Sequence, residues 1–149
     1  MLITSIENVF DIYPEAVIHP INCIGLSHDP LTKKMKRVWP DYYREYARAC
    51  MRKQLKPYHT YHYSIYALFG TKHILTMTVK NNWQEKVKVN NLEPVFESLI
   101  QHCKKQNIKD LAIPLSEEIS PQWVTEMIQQ QCNNFNYQNL KQIYFIRNS

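Results

Sequence analysis

The sequence predicts an α/β protein of three layers, α/β/α, in which a mixed sheet carries helices on both faces. Three observations lead there. The run Ala16 to Ile21 is apolar at nearly every position, as a strand buried on both sides must be, and it is followed by a turn and a long helical stretch. From residue 90 onward, segments of helical period alternate with short apolar β-branched runs, the order that calls for strands connected by crossover helices. The chain has 149 residues, 44% of them hydrophobic, with no linker, repeat or low-complexity tract; that suits one core and one domain over 1–149.

Taken in order, Leu2 to Ser5 reads as a first strand and Glu7 to Asp11 as the turn after it, closed by Tyr13-Pro14. Ala16 to Ile21 is the second strand, with its end expected at Pro20, which has no amide for a sheet ladder. Asp29-Pro30 carries the signature of a helix start, Asp29 as N-cap and Pro30 at the first helical position. Leu31, Met35 and Val38 follow at helical spacing. Pro40 opens a second helix through Tyr43, Tyr46, Ala47 and Cys50 toward Lys53, so the two helices meet near Trp39. Tyr58 to Phe69 and His73 to Val79 form a predicted hairpin about Gly70-Thr71. Asn90 to Glu93 resembles a capping box for a helix whose core face is Leu92, Val95, Phe96, Leu99, Ile100 and Cys103. Lys109 to Leu115 is a buried strand, Ser120-Pro121 starts a helix through Trp123, Val124, Met127 and Ile128, and Gln142 to Ile146 is the last strand.

An apolar strand that runs into a turn and a helix places that turn at the carboxyl edge of the sheet, where open α/β sheets bind ligands, so function is sought around Asn22 to Thr32. Cys23, Cys50, Cys103 and Cys132 are widely spaced and form no metal-ligand pattern, so neither a metal site nor a disulfide framework is expected, and no cofactor. The first residues lack a basic region leading into an apolar one, and no run reaches the length of a membrane span. The expectation is a cytoplasmic protein with no membrane partner.

Charge is unevenly distributed. The total is +5, yet Leu31 to Thr60 holds nine basic residues, Lys33, Lys34, Lys36, Arg37, Arg44, Arg48, Arg52, Lys53 and Lys56, against Asp41 and Glu45. Interleaved with Trp39, Tyr42, Tyr43 and Tyr46, these basic side chains suit an anionic partner, including a nucleic acid. The alternative is a solvated helix face whose stems cover apolar surface. His28 stands in the presumed ligand loop as a proton donor or phosphate partner, and His19, on a buried strand, reads as a satisfied core histidine.

The stretches VIHPINCIGL followed by MKRVWPDYYREYARAC, then ILTMTVKNNW, then IKDLAIPL followed by PQWVTEMI, give a chain that resembles the macro domain. The likeness points to the branch of lysine-dependent ADP-ribose hydrolases and of antitoxins that strip ADP-ribose from DNA. It covers most of the chain and implies an ADP-ribose-type ligand, with ADP-ribosylated protein or nucleic acid as partner. It puts Asn22 near the distal ribose and Gly25 at the start of the first phosphate-facing loop, with Cys23, His28 and Ser116 among the ligand contacts. It sets Asn8, and less directly Glu7, where the family contacts adenine. Lys80 falls where this branch has its nucleophile, able to attack the anomeric carbon and form a Schiff base; Glu117 or Glu118 stands in for the family's resolving aspartate. The first loop, GLSHDPLTKK, has one glycine and the second, PLSEEISPQW, has none, where close approach of amides to a diphosphate favours glycine. This departure carries the alternative of a degenerate macro domain that binds a protein or nucleic acid through Lys33, Lys34, Lys36, Arg37 and Arg44; a third reading, a phosphatase of ADP-ribose phosphates, is implied by the resemblance because parts of the same fold family do that chemistry.

Overall fold

A computed structural model describes residues 1–22, 29–80 and 86–147, with Asn22 described by its backbone alone. Its strands are β1 (Leu2–Ile6), β2 (Ala16–Asn22), β3 (Thr60–Ser64), β4 (His73–Lys80), β5 (Asp110–Pro114) and β6 (Gln142–Ile146). The helices are α1 (Val9–Ile12), α2 (Pro30–Val38), α3 (Pro40–Met51), α4 (Glu93–Gln106) and α5 (Pro121–Asn134). One sheet runs in the order β1-β6-β5-β2-β4-β3, parallel except for the antiparallel pair β3 and β4. Among the described residues no helix is long and apolar enough to cross a membrane.

Strand alternation sends successive residues to opposite faces, and both faces are covered. Ile18, Leu75, Met77, Leu111 and Ile143 pack against Phe96 and Leu99 of α4 and Ile128 of α5. Val17, Ile21, Ile74 and Ala112 pack against Leu31 and Met35 of α2 and Tyr42 and Tyr46 of α3. The mixed three-layer sheet expected from the sequence is therefore present.

Helix starts follow the expected chemistry at two places. The backbone N–H of Thr32 donates to Asp29 Oδ1 at 2.9 Å, and that of Trp123 donates to Ser120 Oγ at 3.0 Å, each cap preceding a proline at the first turn. The capping box at Asn90 does not form. Val89–Asn91 makes a 3-10 turn, α4 begins at Glu93, and the N-cap is Leu92, fully buried. Burial of the leucine outweighs the cap hydrogen bond that an asparagine would supply.

Other boundaries also shift. The predicted turn at Glu7 to Asp11 is the one-turn helix α1, capped by Asn8 Oδ1, which accepts from the Phe10 N–H at 3.0 Å, and closed by Tyr13 at φ 53°. The hairpin exists, but β3 stops at Ser64, and Tyr66, Leu68 and Phe69 beyond it are 97%, 90% and 88% exposed. Gly70, at φ 92°, turns the chain against the Tyr13 ring.

β2 continues past Pro20 to Asn22. It follows β4 along its whole length, with a register shift between Ile21 and Asn22, but pairs with β5 only at Ala16–Leu111 and Val17–Ala112. Pro20 and Pro114 each lack the amide that would carry the β2–β5 pairing onward, so the central pair of strands separates toward its carboxyl ends. That separation opens the cleft described below.

At the other side of the sheet His62 Nε2 lies 2.8 Å from His73 Nδ1, with the His102 ring of α4 stacked on His62 at 6.1 Å. The short N···N contact requires at least one of the two rings to be neutral, since only an unprotonated nitrogen can accept. Burial first, then the charges His73, His102 and Lys105 would carry, pushes His62 down to about 4, and burial lowers His73 and His102 as well. The unfolded chain therefore binds more protons than the folded one between the ordinary histidine value and about 4. This contribution to stability is complete above about pH 6.5 and is lost as pH falls toward about 4. Thermal melts from about pH 7.5 to 4.5 should show a falling Tm, flattened in His62→Asn; a profile that is the same in both proteins would remove the histidine cluster as its cause.

Candidate active site

At the carboxyl ends of β2, β4 and β5, where β2 and β5 separate, lies a cavity of ≈ 350 Å³ lined by Pro20, Ile21, Met77, Val79, Phe96, Ile113 and further apolar groups. Among the described residues, the polar side chains of its wall are Asp29, Lys80, Ser116 and Glu118. An apolar pocket with a few convergent polar groups at the carboxyl edge of an α/β sheet has the form of a ligand site.

Lys80 ends β4 and is the register partner of Asn22 across the shifted end of β2. Its Nζ sits 3.2 Å from Glu118 Oε2 and 3.4 Å from Oε1, with side chains 23% and 35% exposed. Glu118 is steadied in turn by its backbone N–H, which donates to Ser116 Oγ at 3.1 Å. Lysine, carboxylate and serine thus come from the end of β4 and the segment after β5, with Lys80 and Glu118 38 positions apart in a chain of 149 residues, and meet at one rim. The sequence-level candidates Lys80, Glu118 and Ser116 are brought together there, and the backbone of Asn22 beside them. Glu117 is exposed and contributes nothing to the cavity wall. Asn8 lies elsewhere, its side chain engaged as the α1 cap, beside Glu7, Pro30 and Lys34 in a separate small groove. Cys23, Gly25 and His28 lie outside the described residues.

His19 is the core histidine the sequence suggested, and its surroundings are polar. Nδ1 is 2.6 Å from the Tyr42 hydroxyl and Nε2 is 2.7 Å from Thr32 Oγ1. Thr32 Oγ1 donates to Asp29 Oδ2 at 2.8 Å, and Tyr42 Oη is 2.6 Å from Thr76 Oγ1. Burial pushes His19 down to about 4, against the opposing pull of the Asp29 charge, so the ring is neutral at neutral pH. Burial likewise raises the Tyr42 phenol far above its usual value. Asp29 had been readable only as a helix cap, and nothing in residue spacing shows that Thr32, Tyr42 and Thr76 converge on His19.

The basic face is divided by the packing. Lys33, Lys36, Arg37 and Arg44 are exposed and Lys34 is half-buried. Arg44 pairs with Asp41, and Lys36 Nζ lies 5.1 Å above the Tyr43 ring. Tyr42 and Tyr46, expected to interleave as stacking groups, are buried against His19, with ring centroids 5.7 and 5.1 Å from it, and offer no face to a partner. Trp39 is engaged by Phe10 at 5.0 Å.

A family model, the macro domain, matches residues 18–117, which contain most of β2, all of β4 and β5, and the rim residues Lys80 and Ser116. The chain belongs to the macro domain family. Among relatives of this macro domain is the DNA ADP-ribosyl glycohydrolase of Mycobacterium tuberculosis, 26% identical over 100 residues, 67% of this chain and 28% of that protein. Another is the enzyme of the same name from Thermus aquaticus, 22% identical over 107 residues, 72% of this chain and 30% of that protein. The chain thus spans under a third of the length of the relatives it matches. In structure it is similar to the macrodomain of Mycobacterium tuberculosis DarG, with a TM-score of 0.81 at 19% identity over 97% of both chains. It is also similar to Thermosipho africanus DarTG in complex with ADP-ribose, with a TM-score of 0.71 at 20% identity, over 97% of this chain and 41% of that one. These likenesses confirm the fold expected of a macro domain.

Proposed function

We propose that this macro domain binds an ADP-ribose-type ligand in the cleft at the carboxyl ends of β2, β4 and β5 and hydrolyses ADP-ribosyl groups from nucleic acid or protein. The observation that carries the reading is Lys80 at the rim of an apolar cavity, register partner of Asn22 and steadied by Glu118. The likeness to DNA ADP-ribosyl glycohydrolases and to a protein solved with ADP-ribose supports the ligand class. In the proposed reaction the neutral amine of Lys80 attacks the anomeric carbon, the modified base or side chain departs, and the ring opens to a Schiff base. Water then releases the sugar and returns the amine. Glu118 is placed to accept the proton that the lysine must lose. Isothermal titration with ADP-ribose tests the reading: saturable heat is expected, and none at millimolar ligand would overturn it, leaving the basic face of α2 as the functional surface.

A nucleic-acid-linked substrate gains support from Lys33, Lys36 and Arg37, exposed on the helix whose N-cap, Asp29, lines the cavity. Reversing these three charges should lower kcat/KM on an ADP-ribosylated oligonucleotide at low salt, flatten the salt dependence, and leave free ADP-ribose affinity unchanged. Equal salt slopes in variant and wild type would exclude the helix as the nucleic-acid contact.

A further inference from the structure

β3 stands at the edge of the sheet, with β4 on one side and no strand on the other. The Ile65 N–H donates to the Lys72 carbonyl at 2.8 Å, and the register pairs Tyr63 with Ile74 and Tyr61 with Thr76. Alternate residues of an antiparallel ladder turn both backbone groups the same way, so Tyr61, Tyr63 and Ile65 serve β4 while Thr60, His62 and Ser64 face outward. The Thr60 carbonyl accepts from the His102 Nε2–H at 2.9 Å. Among the described residues, the outward N–H and C=O groups of His62 and Ser64 meet no other element. A bare edge of this kind is a template for a further strand.

The two ends of this edge differ. Beyond Ser64 stand Tyr66, Leu68 and Phe69, almost wholly exposed. With about 150–250 Å² for each aromatic, they make a patch of a size that monomers seldom leave bare. Burial first, then the Glu45 and Asp41 carboxylates, raise the Tyr63 phenol, so these acids of α3 stand close to the same end. Arg44 pairs with Asp41 and Lys72 turns back to the Ala67 carbonyl, whereas Glu45 has no ion pair among the described residues. At the other end the Lys56 N–H donates to Tyr61 Oη at 2.8 Å and holds the stretch after α3 against the start of β3. That stretch exposes Met51, at 82%, together with Arg52, Lys53 and Lys56, and leaves Leu55 and Tyr58 half-buried. One end is apolar beside an unpaired acid, the other apolar beside a cluster of cations.

We propose that this edge docks a second copy of the chain, β3 against β3 in antiparallel pairing about a two-fold axis at His62, so that one sheet runs through both copies. The axis sets Ser64 opposite Thr60 and carries Tyr66, Leu68 and Phe69 of each copy onto Met51, Leu55 and Tyr58 of the other, with Glu45 toward the cations there. A two-fold contact uses one patch twice, so a surface whose two ends complement each other fits its own copy. No residue of this edge lines the cleft, and the proposal is independent of the ADP-ribose reading. Sedimentation velocity of the 149-residue chain tests it, with a monomer–dimer equilibrium in the micromolar range expected of a small interface. Ser64→Pro removes an outward amide where an edge strand tolerates proline, and Leu68→Asp puts a charge into the apolar contact. Each should weaken the dimer at least about tenfold and leave a folded monomer by thermal melt. Leu68→Asp, at a position 90% exposed, decides alone should Ser64→Pro not fold. Glu45→Lys should weaken the dimer severalfold, most at low salt. A wild type that stays monomeric at hundreds of micromolar would overturn the inference and leave the apolar tip to a different protein. So would a dimer that the Ser64 and Leu68 variants leave unchanged, or one that Glu45→Lys strengthens.

Discussion

Lys80→Ala is expected to abolish release of ADP-ribose from a modified substrate while leaving affinity for free ADP-ribose close to that of the wild type. A group whose work is done in the transition state changes rate more than ground-state binding, so the loss should appear in kcat. Removing a nucleophile that acts with its partners has cost up to ~10⁶-fold in other enzymes, against ~10²–10⁴-fold for a proton-transfer group alone. Stability should hardly respond, because the Lys80–Glu118 pair is partly exposed and such pairs contribute at most about 1 kcal/mol. Borohydride trapping distinguishes nucleophile from neighbour: wild type with ADP-ribose should give a covalent adduct by mass spectrometry that Lys80→Ala lacks. An unmodified wild type would remove the Schiff base from the proposal, and a large drop in Tm on substitution would mark Lys80 as a structural ion-pair partner.

Tyr42→Phe is expected to be the most destabilising single-atom change in the core. Thr32 Oγ1 gives its one hydrogen to Asp29, which leaves His19 protonated at Nε2 and accepting at Nδ1; the Tyr42 hydroxyl, in a side chain left 3% exposed, therefore donates to His19 and accepts from Thr76. Deleting it leaves a buried threonine donor and a buried imidazole acceptor with no partner at those positions. Each orphaned group costs about 1–3 kcal/mol, so a total of about 2–4 kcal/mol is expected after the hydrogen-bond chain partly rearranges. The ring packing against Tyr46 and Tyr63 is retained, so apolar burial hardly changes. Denaturant unfolding with an unaltered slope and a lower midpoint is the expected result. A loss under about 0.5 kcal/mol, the level of an ordinary surface substitution, would mean that the hydroxyl is not held as described.

Much of this fold was legible because its signals are local. The continuous apolar run of β2 follows from burial on both faces, the paired caps Asp29-Pro30 and Ser120-Pro121 satisfy helix-end amides within three residues, and Leu92 to Cys103 repeats at helical spacing. Boundaries were misread where burial outweighed the local preference or where an element was too short to show its period. Leu92 entered the core and displaced the asparagine cap, while Asn8 found its cap partner in a helix too short to show a period.

The site divides in the same way. Lys80 and the rim residues Ser116 and Glu118 could be picked out by type and by their places at strand ends, and the resemblance implied what a lysine there does. Only the tertiary structure decided that Lys80 and Glu118 lie 3.2 Å apart, because 37 residues and helix α4 intervene between their segments. Only it decided that Pro20 and Pro114, on strands that pair just at their first residues, both line the cleft where those strands separate. The sequence by itself determined which residues alternate into which layer, since period and burial are properties of a single segment. Whether a buried tyrosine, histidine or threonine finds a partner depends on several segments at once, so the chain from Thr76 to Asp29 became visible only when the four elements that carry it were packed together.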